Sequence, residues 1–112
     1  METFIIRQGD TAPAIRATLR DRSGVAIPLE DAFIEFRMRD RDGNLLIRDS
    51  AGTDPDEVGV VIYEWQPGDT DRAGVFRSEW QVTYPDGGIE TFPNMGYLTV
   101  YVIDDVMRSD DE

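Results

Sequence analysis

Alternation of apolar and polar residues with a period of two constrains this chain more than any other feature of its sequence. In residues 75–84 (VFRSEWQVTY), Phe76, Trp80 and Val82 fall on one side, and mainly polar residues fall on the other. This period is typical of a strand with one buried face, because successive side chains of a strand point to opposite sides. The same reasoning predicts strands at 3–8, 12–20, 32–39, 44–48, 59–65, 75–84, 89–92 and 97–104.

Short turn motifs rich in Asp, Asn, Gly and Pro separate the predicted strands, for example at 41–44, 67–69 and 85–88. Several short strands joined in this way favour an all-β fold, an antiparallel β-sandwich of about seven or eight strands. No segment predicts a helix of three turns. We expect one domain over residues 1–106, followed by an acidic C-terminal tail at 107–112.

Three missing residue types restrict the chemistry of the chain. Its 112 residues include no cysteine and no histidine, and all 11 basic residues are arginine, so lysine is absent too. Disulfides, thiolate metal sites and a thiol nucleophile are therefore excluded. The serines have no histidine or lysine to activate them, and a Schiff base requires lysine.

The acidic corner between the predicted strands at 59–65 and 75–84 contains Glu64, Asp69 and Asp71. Two carboxylates suffice for glycoside hydrolysis, but a sandwich of this length has little room for the substrate cleft. We therefore predict a protein that is not an enzyme and has no catalytic residues. Immunoglobulin-like sandwiches often carry a tyrosine near this corner, and here Phe76 replaces it, so we expect Asp69 or Asp71 to cap local amides instead.

Two acidic segments are candidates for cation binding. Residues 40–44 (DRDGN) share spacing with the start of a calcium loop, but the later glutamate is missing and a strand follows. Asp-Gly between apolar strands is also an ordinary hairpin signal, and we favour the turn. Residues 54–57 (DPDE) are interpreted as a solvated loop rather than a cation site. The sequence predicts no metal-binding and no cofactor-binding residues.

The acidic charge limits the possible partners. Against the 11 arginines stand 23 acidic residues, which gives a formal net charge of −12. A field of this sign disfavours phosphate backbones, and no long apolar run is present, so we expect neither nucleic acid nor membrane as a partner.

A salt-rich cytoplasm or a GC-rich genome could impose the excess of acidic residues and the use of arginine as the sole basic residue. We favour a halophilic source, because molar salt screens the self-repulsion of the compact state.

Apolar residues at outward positions suggest an interface, since aromatic and aliphatic side chains are favoured at interface centres. The predicted interface residues are Ile5, Phe33, Val60, Ile62, Tyr97, Tyr101 and Ile103. A second sheet that covers part of them is the competing interpretation.

One predicted strand carries arginines at alternate positions, namely Arg37, Arg39 and Arg41. We favour a solvated face with cross-strand ion pairs for these arginines over a stripe that faces a partner.

One family resemblance covers nearly the whole chain. Its motifs are RQGDT (7–11), IPL (27–29), AFIEF (32–36), VIYEW (61–65), GDT (68–70), GVF (74–76), TYPDG (83–87), TFP (91–93) and LTV (98–100). In this order they resemble the N-terminal domain of phage baseplate upper proteins. The resemblance implies an immunoglobulin-like sandwich that acts by protein–protein contact without catalysis.

From this resemblance we expect a structural protein of a tailed virus, present in the virion and synthesised in the host cytoplasm. It would dock on tail or baseplate, neck or capsid proteins, in several copies of a symmetric assembly. The alternative hypothesis is an adhesion module that binds cell-surface glycan.

Overall fold

The computed structural model describes residues 3–93 and 97–104, and within these ranges all regular elements are strands. The strands are β1 (Thr3–Arg7), β2 (Ile15–Thr18), β3 (Phe33–Arg39), β4 (Leu45–Thr53), β5 (Val60–Tyr63), β6 (Gly74–Thr83), β7 (Ile89–Phe92) and β8 (Leu98–Ile103). Each predicted strand is present, and β4 extends to Thr53, five residues past the predicted end at 48. No helix of the described residues is long and apolar enough to cross a membrane.

The all-β fold class is confirmed. The strands follow the order β1-β8-β6-β3-β4-β5-β2, with β7 paired to β6 as well. One detail differs from the antiparallel expectation, because β1 runs parallel to β8 while the other pairs are antiparallel. Alternation has the same period in both kinds of pairing, so the pattern of apolar residues could not indicate strand direction.

Strand β4 connects the two layers of the sandwich. Its residues from Leu45 to Ala51 pair with β3 in the larger sheet, whereas Gly52 and Thr53 pair with β5 in the smaller one. Strands β7 and β8 both pair with β6, β7 at Trp80–Thr83 and β8 at Gly74–Ser78. The larger sheet therefore contains β1, β8, β6, β7, β3 and most of β4.

Aromatic rings fill the space between the layers. Phe36 is fully buried and stacks on Tyr63 at 4.6 Å between ring centroids, and it contacts Trp65 edge-on at 5.6 Å and Trp80 at 4.9 Å. Phe4 packs on Trp65 from β1 at 5.8 Å. The inward orientation predicted for Trp65 and Trp80 is thus confirmed. The predicted boundary at 106 and the acidic tail at 107–112 lie outside the described residues.

Candidate binding face

The outer side of the larger sheet carries the side chains that alternate away from the core on β1, β8, β6, β3 and β4, and we call it the outer face. Its charged members are Arg7, Arg37, Arg39, Arg48, Arg77, Glu35 and Glu79. Five arginines against two glutamates give this face a formal charge of +3. Since the whole chain carries −12, the remaining residues carry −15. The fold has therefore gathered positive charge on one side of an acidic protein.

Glu35 organises the middle of the outer face. Arg37 Nε donates to Glu35 Oε1 at 2.8 Å, and Arg48 Nε donates to the same oxygen at 3.2 Å. Arg37 also donates to Gln81 Oε1 at 2.9 Å, and its Nη1 lies 4.0 Å from Glu79 Oε2. Burial alone would raise the pKa of Glu35, but the hydrogen bonds and charges of the two arginines outweigh it and hold this pKa below its usual value. The prediction of cross-strand ion pairs is confirmed for Arg37 by its contact with Glu79 on β6, while its shorter ion pair, with Glu35, lies within β3.

Arg39 and Arg77 behave differently from Arg37. They lie directly opposite each other in the antiparallel register of β3 and β6. The Arg77 guanidinium stacks over the ring of Tyr97 at 4.9 Å from the ring centroid, and Arg39 Nη1 makes a long contact of 3.4 Å with the carbonyl oxygen of Gly43. Among the ion pairs of the described residues, none includes Arg39 or Arg77.

A hollow of about 120 Å³ lies at this arginine pair. Its lining residues are Arg37, Arg39, Arg77, Ser78, Glu79 and Tyr97. Three arginines and one glutamate give the lining a formal charge of +2. We call it the arginine hollow.

Beside the arginine hollow, apolar side chains form a row across three strands. Ile5 of β1 pairs with Tyr101 of β8, and Tyr101 pairs on its other side with Val75 of β6. These side chains are 60%, 43% and 41% exposed, and Ile103 is exposed two residues further along β8. We call these four residues the apolar row. It lies between Arg7, which pairs with Ile103, and Arg77.

The structure brings some of the predicted interface residues together and separates others. Ile5, Tyr101 and Ile103 share the apolar row, and Tyr97 lies beside Arg77 in the arginine hollow. Phe33 is exposed at the far end of the sheet, where Thr83 pairs with both it and Ile89. Ile62 is half-buried on the smaller sheet. Sequence reasoning missed Val75 and Ile89 as interface candidates, although both stand at outward positions of their strands.

The interface prediction for Val60 is wrong, because this residue is only 5% exposed. Its carbonyl oxygen accepts a hydrogen bond from the backbone N–H of Asp54, and its own N–H donates to the carbonyl of Glu57, so the loop before β5 closes on it. Alternation along β5 starts only at Val61, since Val60 and Val61 are both buried. A loop that folds back on a strand end is not visible in a pattern of period two.

The acidic corner serves the fold. Asp69 Oδ2 accepts hydrogen bonds from the Tyr63 hydroxyl at 2.5 Å and from the backbone N–H of Gln66 at 2.8 Å. The predicted capping role is thereby confirmed for Asp69. A tyrosine hydroxyl does form a hydrogen bond at this corner, but it belongs to Tyr63 on β5 and not to the position of Phe76 on β6.

The segment 40–44 forms the predicted hairpin turn. The Asp40 side chain accepts hydrogen bonds from the backbone N–H groups of Asp42 and Asn44, each at 2.9 Å, and from the Asn44 side chain at 3.0 Å. Arg72 adds a contact of 3.4 Å. These hydrogen bonds, chiefly those from Asn44, hold the pKa of Asp40 below its usual range. Within the described residues no three acidic side chains are grouped so that they could hold a metal ion.

Comparisons with known proteins support the fold. No family model matches the chain, and no curated protein matches it. The crystal structure of CopC from Methylosinus trichosporium OB3b is similar, with a TM-score of 0.58 and 12% sequence identity, over 94% of this chain and 87% of that one. At this identity the similarity shows a shared β fold and no more.

The hypothesis of a virion structural protein is wrong on this comparison, because the fold is similar to that of CopC and nothing points to a virion role. The motifs behind the hypothesis make contacts that the fold itself needs. Gly9, in the RQGDT motif, donates its backbone N–H to Thr70 in the GDT motif at 3.0 Å, and Thr70 Oγ1 donates to the Asp10 carbonyl at 2.7 Å. The resemblance to baseplate upper proteins itself stays a prediction.

Proposed function

We propose that this protein is a non-catalytic binding module that docks an acidic protein on its outer face. The observation that carries the proposal is the separation of charge, +3 on the outer face against −15 on the remaining residues. Positive potential attracts an acidic partner to this face, while the rest of the surface repels it. Charge therefore determines the orientation of binding.

The apolar row would supply the desolvated centre of the contact. Single exposed hydrophobic residues are common, but Ile5, Tyr101 and Val75 are adjacent in register and Ile103 continues them. Tyrosine and arginine are enriched at interface centres, and charged residues with solvent access form the rim. Here Arg7 and Arg77 stand on either side of the apolar row, which matches that arrangement.

Site-specific photo-crosslinking tests the proposal in the cells that make the protein. A photoreactive residue replaces Tyr101 in one strain and Val58, an exposed loop residue, in another. We expect a discrete adduct with an acidic protein at position 101 and none at position 58. An adduct with a second copy would also support the proposal, because the chain is itself acidic.

Charge reversal sharpens this test. Arg7→Glu should abolish the adduct at position 101, whereas Arg22→Glu makes the same change of charge in a loop away from the outer face and should leave it intact. Equal adducts at 101 and 58, a basic partner, or an adduct that survives Arg7→Glu would contradict the proposal.

A further inference from the structure

We infer that the arginine hollow binds a single oxyanion, and that in the complex proposed above this oxyanion is a carboxylate of the acidic partner. The assignment to a partner carboxylate rests on the proposed function. The anion site itself rests only on the geometry of Arg39, Arg77 and Tyr97.

The first argument is the placement of two like charges. Arg39 and Arg77 are directly opposite on the same face of an antiparallel pair. Residues in this relationship have Cβ atoms about 4.5–5.5 Å apart, and like charges placed there are destabilising. An anion between the two guanidinium groups would convert this repulsion into two attractions.

The second argument is that, within residues 3–93 and 97–104, no carboxylate forms an ion pair with Arg39 or Arg77. Acidic residues outnumber arginines 23 to 11, yet no ion pair of the described residues includes Arg39 or Arg77. Glu35 is engaged by Arg37 and Arg48. Glu79 lines the arginine hollow, but within the described part of the chain its ion pair is with Arg37, at 4.0 Å. The arginine hollow therefore keeps an excess of positive charge.

The third argument concerns size and preorganisation. The arginine hollow has a volume of about 120 Å³. That space suits one carboxylate or phosphate group. Stacking on Tyr97 orients the Arg77 guanidinium before any ligand arrives, and a planar guanidinium binds oxyanions through paired N–H donors. Less conformational freedom is then lost on binding.

An NMR titration of the purified protein tests the anion site without any partner. The probes are sodium acetate in one arm and sodium phosphate in the other, at about pH 7 and constant ionic strength. The readout is the Nε–Hε signals of the arginines. We expect saturable shifts at Arg39 and Arg77, with smaller and non-saturating shifts at Arg7.

Variants separate the arginine hollow from the general charge of the outer face. Arg77→Gln and Arg39→Gln should each weaken acetate binding about tenfold. The matched control Arg7→Gln removes the same charge from the same face outside the arginine hollow and should change the affinity less than about twofold. Equal weakening by Arg7→Gln and Arg77→Gln, or linear shifts of equal size at all three arginines, would overturn the anion site.

The two titration arms also identify the source of the oxyanion. Acetate binding at least as tight as phosphate binding supports a carboxylate of the partner, whereas much tighter phosphate binding overturns that assignment. Failure of the proposed function has a different signature: the crosslink at position 101 is missing, although the arginine hollow still binds acetate in the NMR titration.

Discussion

Tyr63 and Asp69 close the corner between β5 and β6, where the tyrosine hydroxyl donates a hydrogen bond of 2.5 Å to Asp69 Oδ2. Tyr63 is buried, and burial together with the Asp69 carboxylate raises the pKa of Tyr63 far above its ordinary value. The raised pKa keeps the hydroxyl protonated at neutral pH, where it donates its hydrogen to Asp69. This hydrogen bond ties the aromatic core to the loop that leads into β6.

Replacement of Tyr63 by phenylalanine should lower the free energy of unfolding by about 1–3 kcal/mol, because a buried hydrogen bond to a charged acceptor is lost. Chemical denaturation measures this change. Tyr97→Phe is the matched control, since Tyr97 is exposed and its hydroxyl forms no hydrogen bond within the part of the chain that the structure describes. Equal stability of the two variants would show that the Tyr63 hydrogen bond contributes nothing.

Replacement of Gly59 by alanine should destabilise the protein more than replacement of Gly43. Both glycines have a left-handed backbone, with φ of 80° and 87°, and alanine there costs about 1–2 kcal/mol. A Cβ at Gly59 would also lie 3.0 Å from Ala26 Cβ and 3.0 Å from the Leu19 carbonyl oxygen, whereas a Cβ at Gly43 meets open space. We expect an additional loss of about 1–3 kcal/mol for Gly59→Ala, measured by denaturation. Identical losses would exclude the steric contribution.

Replacement of Ser78 by alanine should leave the stability unchanged or raise it by about 1 kcal/mol. The Ser78 hydroxyl is buried without a hydrogen-bond partner, on a strand between Met38 and Leu98. Alanine removes a desolvated polar group and keeps most of the packing. Ser50→Ala, on an exposed part of β4, serves as the reference in the same denaturation assay. A loss greater than about 1 kcal/mol would show that the Ser78 hydroxyl does form a stabilising hydrogen bond.

Acid should remove the contribution of Asp40 to stability. Its pKa in the folded state lies below the unfolded value of about 3.9, so its contribution is fully present above that value and is lost as the pH falls through the folded pKa. Asp40→Asn should therefore lower the melting temperature at neutral pH, and the difference from wild type should vanish in acid. Asp42→Asn alters the same turn at an exposed carboxylate and should show little difference at either pH. A difference for Asp40→Asn that persists in acid would contradict this linkage.

Salt should raise the melting temperature, as the net charge of −12 implies. The screening length falls from about 10 Å at 0.1 M to about 3 Å at 1 M, which weakens the self-repulsion of the folded chain. Thermal unfolding between these concentrations tests the halophilic hypothesis. Asp56→Asn and Asp86→Asn together should reduce the rise, because both are exposed and add to the repulsion. A melting temperature that stays constant with salt would exclude the hypothesis.

The limits of sequence reasoning are clearest at Arg37 and Arg39. Both belong to the same alternating stripe, and the same ion-pair interpretation covered both. The fold places Glu35, Gln81 and Glu79 around Arg37, but it places Arg77 opposite Arg39. The ion-pair interpretation was therefore correct for one arginine and missed the other. Glu35, two residues before Arg37 on the same strand, is a local partner, but Gln81, Glu79 and Arg77 come from β6, about 40 residues away, and no local pattern shows which of them faces which arginine.

The sequence by itself determined which side of each strand faces the core, where the turns lie and how strongly acidic the protein is, since these properties depend on neighbouring residues along the chain. Only the tertiary structure decided that β1 runs parallel to β8, that Ile5, Tyr101 and Val75 form one row, and that Val60 is covered. Strand partners, direction and register depend on contacts between distant segments, and alternation with a period of two is compatible with many such pairings.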